Sequence, residues 1–583
     1  MLRLATACIL ALLLSLPTQA QEVGTCEPGL AERVLDVAGA KAKLHNTGNL
    51  FWNANLGFSD FTYAVPKNAG TDANVYVHAL WIAGLVEGDT LGAGAPWRGY
   101  EYWPGPIPES GVPSDCAAFD QLWSVRRSDL ARFYESGEAT EDLRTWPAHL
   151  GAPVIDGDGI PGNYDLDAGD QPALRGDQTV WWVMNDAGNV HRVTRSAPLG
   201  LDVRVEAFAK ASTVQDIHEA TFYRYTLTNR STSTTDRAFV GFFSEMTGGY
   251  NYQNDFVGTD TTLSLWYTYD FRPDIYVGGS WAIGATVLEG PIILPDGRDN
   301  DRDGAIDEPS ERGDLHATLL LYGGGGDPTH DEISSAQDIY HYLSGSWRDG
   351  VPLTEGGYGY NGPDGGLGQS SEGSITRYIF SGEPGSFWSE PCFQPGCEEP
   401  SNDGRRHGVY SAGPFRLEPG ESQTISIAIV HADGDDYLSA VHALKDATRY
   451  VRTAFDLGLL DPEPVPIPAD FLAEDLPGAL GLGTPFPNPT TDSITLPYRV
   501  PATLSGPIRV ALTDVLGREV AVVVEGTPEP GEYEVVLDTR VLAPGVYVVR
   551  MQRALALSYH LRELSCESRV HAPPLTCPHT SMP

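Results

Sequence analysis

Lysine and arginine are scarce in this chain, 38 against 78 aspartates and glutamates in 583 residues, for a formal net charge of −40. A surface of that balance repels phosphate backbones and anionic lipid at long range, so nucleic acid is not an expected partner. Long apolar runs are missing too. After the first 20 residues nothing approaches the roughly 18 consecutive apolar residues of a membrane helix, and no membrane span is expected in the mature chain. The short patterns of common catalytic sites are also absent: no GxSxG, no HExxH, no GxGxxG between a strand and a helix. The glycine-rich region 323–385 lacks a GKS or GKT ending, which excludes a P-loop and leaves irregular loop surface as its expected role. Two suitably placed carboxyl groups are enough for a glycosidase, so hydrolysis of extracellular polymer stays as the alternative function.

Cysteine is sparse, at seven residues, and Cys8 falls in residues 1–20. There, Arg3, an apolar run over 5–16 and Thr18-Gln19-Ala20 make a secretory signal peptide with cleavage expected after Ala20. Six cysteines remain, Cys26, Cys116, Cys392, Cys397, Cys566 and Cys577, and in an exported chain they favour disulfides, with 15 complete pairings open. Cys392 and Cys397 are the best local pair, because Pro395 and Gly396 fold the residues between them into a turn. Zinc needs further Cys or His ligands that no spacing supplies.

Strand patterns dominate what is present. After a leader over 21–47, the body 48–458 contains HALWIAGL, GDQTVWWVMND, LDVRVEAFA, ATFYRYTLTN, RAFVGFFSE and SQTISIAIV. These are buried or alternating runs of strand length. The Ser/Thr-rich connection between the fourth and fifth predicts a hairpin or a sandwich edge. Aromatics beside Pro and Gly, as in YWPGPI, suit core packing, with a sugar platform as the alternative. One amphipathic helix is expected from about 437 to 457, with Leu438, Val441, Leu444, Val451 and Phe455 on one face, an acidic cap at Asp435 or Asp436 and Gly458 at its end. The fold class predicted is all-β dominant: a multidomain β-sandwich body of one or two subdomains, that helix, a Pro/Gly-rich linker over 459–483, and a small immunoglobulin-like sandwich over 484–564, with an atypical tail over 565–583.

The sharpest candidate site is a calcium loop over 296–311. Counting Asp299 as position 1 puts Asp301 and Asp303 at 3 and 5, Gly304 at 6, Ala305 at 7, Ile306 at 8 and Asp307 at 9, the offsets of an EF-hand-like loop. Position 12 is Ser310, so Glu308 or Glu311 must stand in for the usual glutamate, or water completes the shell. The segment resembles dockerin-like and thrombospondin-like calcium loops, and the resemblance implies a structural Ca²⁺; a bare acidic turn is the alternative. Asp156, Asp158, Asp165 and Asp167 form a second candidate with interrupted spacing. His431, beside Asp433, reads as a satisfied surface histidine at a strand end.

Between 484 and 552, Ile508, Val510 and Leu512 alternate on one face, as do Tyr533, Val535 and Leu537, and Val546 and Val548 or Tyr547 and Val549. Three punctuating segments, FPNP at 486–489, DVLGRE at 514–519 and LAPGVY at 542–547, stand in an order and spacing that resembles the type A C-terminal sorting domain of the type IX secretion system. The resemblance implies that the chain crosses the periplasm, meets the type IX translocon, and ends secreted or on the outer cell surface. A last strand is expected from 555–564. NLFWN, ALWIAGL, YWPGPI, GDQTVWWVMND, FYRYTLTNRS, NDFVGTDTT and YSAGPFRLEPGESQTI resemble a family of secreted proteins with the same ending. That resemblance implies architecture and export; an extracellular glycan or surface protein is the expected partner, and the function expected is noncatalytic and calcium-stabilised.

Overall fold

The computed structural model describes residues 23–52, 63–67, 73–96, 100–248, 255–271, 279–301, 304–322, 331–356, 359–360, 373–391, 406–467, 481–490, 492–500, 507–514, 518–543, 545–553 and 559–566. Strands make up 43 % of it and helices 14 %, so the all-β expectation holds. Two compact units divide the chain, one of residues 1–127 and 174–463, the other of 128–173 and 464–583.

In the first unit two nine-stranded sheets face each other. One runs in the order Glu32–Leu35, Lys41–His45, Tyr63–Val65, Ala73–Val86, Thr235–Gly248, Arg406–Leu417, Ala317–Tyr322. The other runs Asp255–Asp260, Leu265–Asp270, Ser280–Glu289, Ser422–Gly434, Thr221–Asn229, Leu201–Ala209, Gln178–Asn185, Trp103–Pro104. Alternation along each strand decides which layer a side chain enters. Ile425, Ile427 and Ile429 point into the core between the sheets, with Val203, Val205 and Phe242. Their neighbours Ala428 and Val430 point the other way, into a second core with Phe208, Phe222 and the helix Tyr437–Asp456. The first sheet is also covered outside: the Trp81 ring stacks 5.5 Å from Phe243 and lies 6.4 Å from Tyr342 of the helix Ala336–Leu343. Strands covered on both faces read as unbroken apolar runs, which is why HALWIAGL and TVWWVM carry little alternation.

Two expectations need correction. The Ser/Thr-rich connection is not a hairpin: Thr221–Asn229 pairs with Leu201–Ala209 and Ser422–Gly434, whereas Thr235–Gly248 belongs to the opposite sheet. Both strands alternate equally well, so periodicity alone could not say that the chain crosses the sandwich there. Nor is 323–385 wholly loop surface, because Ile339, Tyr342, Leu343, Trp347 and Leu353 are core residues. The helix Tyr437–Asp456 matches its reading closely. Asp436 accepts the Ser439 N–H at 2.8 Å, and the Ser439 hydroxyl closes the capping box. Val441, Leu444 and Val451 are buried, and Gly458 follows at φ +70°.

In the second unit, a three-stranded sheet (Gly481–Leu482, Ser493–Val500, Gly531–Asp538) and a four-stranded one (Glu519–Gly526, Ile508–Asp514, Gly545–Arg553, Tyr559–Cys566) enclose a core of Ile494, Leu496, Val510, Leu512, Val549 and Met551. Ile508, Val510 and Leu512 are wholly buried, and Tyr533, Val535 and Leu537 pack against them. Of the two alternatives in the next strand, Tyr547 and Val549 face the core. The expected last strand is Tyr559–Cys566, antiparallel to Gly545–Arg553. Residues 515–517 and 544, on which two of the turns rest, lie outside the described residues.

Candidate metal sites

Residues 156–170 form a loop closed at its base by the antiparallel pairs Gln171 with Ile155 and Pro172 with Val154. A Cβ at Gly157 would lie 2.0 Å from the Gly169 carbonyl oxygen, so only glycine lets the two ends of the loop meet. Asp170, wholly buried, accepts the N–H of Gly157 at 2.9 Å and of Asp165 at 2.7 Å. Asp156 accepts the Gly159 N–H at 2.6 Å; Asp158 accepts Ile160 N–H at 2.7 Å and Asn163 Nδ2 at 2.9 Å. Carboxylate oxygens of Asp156, Asp158 and Asp170 thereby lie within 4.8 Å of one another. Burial raises the Asp170 carboxyl above the usual carboxylate range, and the charge of Asp158 adds to the rise. Asp165 and Asp167 sit apart from the trio: Asp165 caps the 3₁₀ turn Leu166–Ala168, and Asp167 pairs with Arg144 at 3.6 Å. No spacing rule picks out Asp170, which follows Asp156 by fourteen residues and is brought back to it only by the closing of the loop.

The loop 296–311 is closed at its base by the Ile293 N–H on the Glu311 carbonyl at 3.0 Å. Glu311, 2 % exposed, reaches back into it and accepts the N–H of Asn300 and, at 2.5 Å, of Asp307. Gly304 takes φ +99°, the turn its offset requires, and donates its N–H to Asp299 Oδ2 at 3.1 Å. Asp299 Oδ1 is buried and, among the described residues, accepts no hydrogen bond. Asp307 turns onto backbone, accepting the N–H of Asp296 at 2.7 Å and of Gly297 at 3.0 Å. Asp301 and Ala305 are exposed, Glu308 is half-buried, and Ile306 at the apolar offset is 63 % exposed. Asp303 lies outside the described residues.

A hard cation needs several oxygens around one point. The trio Asp156, Asp158 and Asp170 fits, with Asn163 Oδ1 buried beside it and accepting no hydrogen bond. In the 296–311 loop Asp299 Oδ1 fits, whereas Asp307 spends its carboxylate on the loop backbone.

His431 is not a surface residue. Its side chain is fully buried in Ser422–Gly434, 3.3 Å from Glu219 and 3.3 Å from Asp433. Other buried acids serve as backbone clamps. Glu101 accepts the N–H of Gly94, Val193 and Thr194, and Asp186 those of Leu199, Gly200 and Leu201. A disulfide joins Cys26 to Cys116. Cys392, Cys397 and Cys577 lie outside the described residues, as do residues 1–22 with the expected signal peptide. Among the described residues no helix is long and apolar enough to cross a membrane.

No curated protein matches the chain. Among solved structures it is similar to a polysaccharide lyase, at 9 % identity and a TM-score of 0.16, over 63 % of this chain and 34 % of that one. The chain thus spans about a third of that protein's length, and so low a score carries no argument about fold or activity. The C-terminal sandwich is different. Residues 484–559 match the family described as the secretion system C-terminal sorting domain, so this chain carries a type IX sorting module that addresses it to the cell surface or the extracellular space.

Proposed function

We propose that the chain is a noncatalytic β protein, exported by the type IX machinery, stabilised outside the cell by Ca²⁺, and binding an extracellular glycan or surface partner. The match of residues 484–559 to the sorting family carries the export reading. Calcium is supported by the convergence of Asp156, Asp158 and Asp170 and by the buried oxygen of Asp299 that accepts no hydrogen bond. Carboxylate oxygens hold more than one lone pair, so those already accepting N–H groups can also face a cation. A bound Ca²⁺ would offset the mutual repulsion of each set and hold its loop closed. The noncatalytic reading is supported by the buried acids Glu101 and Asp186, whose oxygens are taken up by backbone N–H groups. Concave surfaces of about 180 and 460 Å³ beside Arg298 and Tyr378 suit a ligand.

Thermal denaturation of the mature chain in Ca²⁺ and in chelator tests the calcium part. A rise of a few degrees in Tm with Ca²⁺ is expected, reduced in Asp158→Ala and in Asp299→Ala. An unchanged Tm together with no calorimetric heat would refute it. Turnover of a polysaccharide, abolished by one carboxylate substitution that leaves the fold intact, would replace the binding reading with the hydrolase one.

A further inference from the structure

The two cavities beside the loop 296–311 share four lining residues, Asp296, Arg298, Arg377 and Tyr378. The smaller, about 180 Å³, also reaches Asp299, Asp314 and His316; the larger, about 460 Å³, continues along Thr376 and the exposed Ile375. In a chain with twice as many acids as bases, arginines ordinarily find carboxylates. Here they do not. Among the described residues, the guanidinium groups of Arg298 and Arg377 meet no carboxylate within 4.0 Å. Arg377 instead places Nη1 3.1 Å from Nδ1 and 3.2 Å from Nε2 of the His316 imidazole and hydrogen-bonds the Tyr378 side chain. Of the three acids that line the smaller cavity, Asp314 accepts the Ser264 hydroxyl at 3.5 Å, and the other two accept hydrogen bonds from the loop. Asp296 Oδ1 accepts the Arg298 N–H and the Asn300 Nδ2, each at 3.0 Å, and Asp299 Oδ2 accepts the Gly304 N–H. Burial, then the charges of Arg377, Arg298 and Arg237, lower the His316 pKa to about 3, so the imidazole is neutral and adds no charge of its own.

We propose that Arg298 and Arg377 form an oxyanion pocket that takes the carboxylate or sulfate group of an acidic glycan, or the same group as a free anion. A guanidinium offers paired N–H donors that match an oxyanion, and one facing a neutral imidazole keeps donors for it. The Tyr378 ring and Ile375 would line the path for the rest of a sugar chain. The glycan source rests on the binding reading above; the pocket itself does not.

The test is calorimetric titration of the full mature chain at low ionic strength with sodium sulfate, a galacturonate oligosaccharide and its neutral methyl ester. Expected is binding of the uronate but not the ester, weakened about tenfold or more in Arg298→Gln and Arg377→Gln. Arg298 is exposed, so its variant folds even if the half-buried Arg377 does not tolerate change. Arginine-dependent binding of sulfate alone upholds the pocket and makes the free anion its ligand. Equal binding of uronate and ester, unmoved by both variants, keeps glycan binding and overturns the pocket. No heat with any of the three overturns it as well.

Discussion

His431 acts on stability through its proton. Burial pulls its pKa down, but the contacts with Asp433 and Glu219 outweigh this and hold it at about 9. An unfolded histidine releases its proton near pH 6.5. The contribution to stability is therefore full below about pH 6.5 and is lost as pH rises through about 9. Asp433 is 68 % exposed and solvent screens its share, which puts the effect on the order of 1–2 kcal/mol. Urea denaturation at pH 6, 8 and 10 should show the parent losing this increment while His431→Gln does not; parallel curves would contradict the account. Much at this scale was hidden in the sequence. The acidic neighbour of His431 was visible at Asp433, but Glu219 comes from 212 residues away and burial from two layers of structure. Asp170 was likewise in plain view and unassigned, since no spacing rule spans a loop whose glycines bring its ends together. Asp170→Asn should keep the fold, lose the Ca²⁺-dependent rise in Tm for its loop, and so separate the two loops in a thermal titration.

The elements were far more legible than their partners. The helix Tyr437–Asp456 was readable because its apolar spacing, its Asp436 cap and its terminal glycine agree. Its buried face covers Ala428 and Val430, so Leu444→Ala should cost about 2–5 kcal/mol in denaturant unfolding. Asp436→Ala, which removes only the cap, should cost about 1 kcal/mol. A smaller loss for Leu444 than for the cap would mean that the helix does not close the second core. Pairing was a different matter. Thr221–Asn229 and Thr235–Gly248 carry the same alternation, and each has on one side a strand more than 150 residues away, Ser422–Gly434 and Arg406–Leu417. Local periodicity fixes a strand's faces and says nothing about such neighbours.

Across the whole molecule, one covalent link spans a long stretch. Cys26 and Cys116 are 90 residues apart, and six cysteines gave the sequence no means of choosing this pair. Replacing both by alanine should lower stability by about 2–5 kcal/mol, read as a shifted denaturation midpoint. At the other end of the chain the turns, the core alternation and the final strand together made the sorting module readable, because a small sandwich with one core leaves few alternatives. The body carried no such address for its activity: its acids are spread over many loops, and the cavity arginines come from separate segments. Export is thus the most direct test of the account. The chain and a version ending at residue 483 should be expressed in a bacterium with a type IX system, and medium, surface and periplasm compared. The account predicts the full chain outside and the truncated one held in the periplasm; equal export of both, or retention of both, would contradict it.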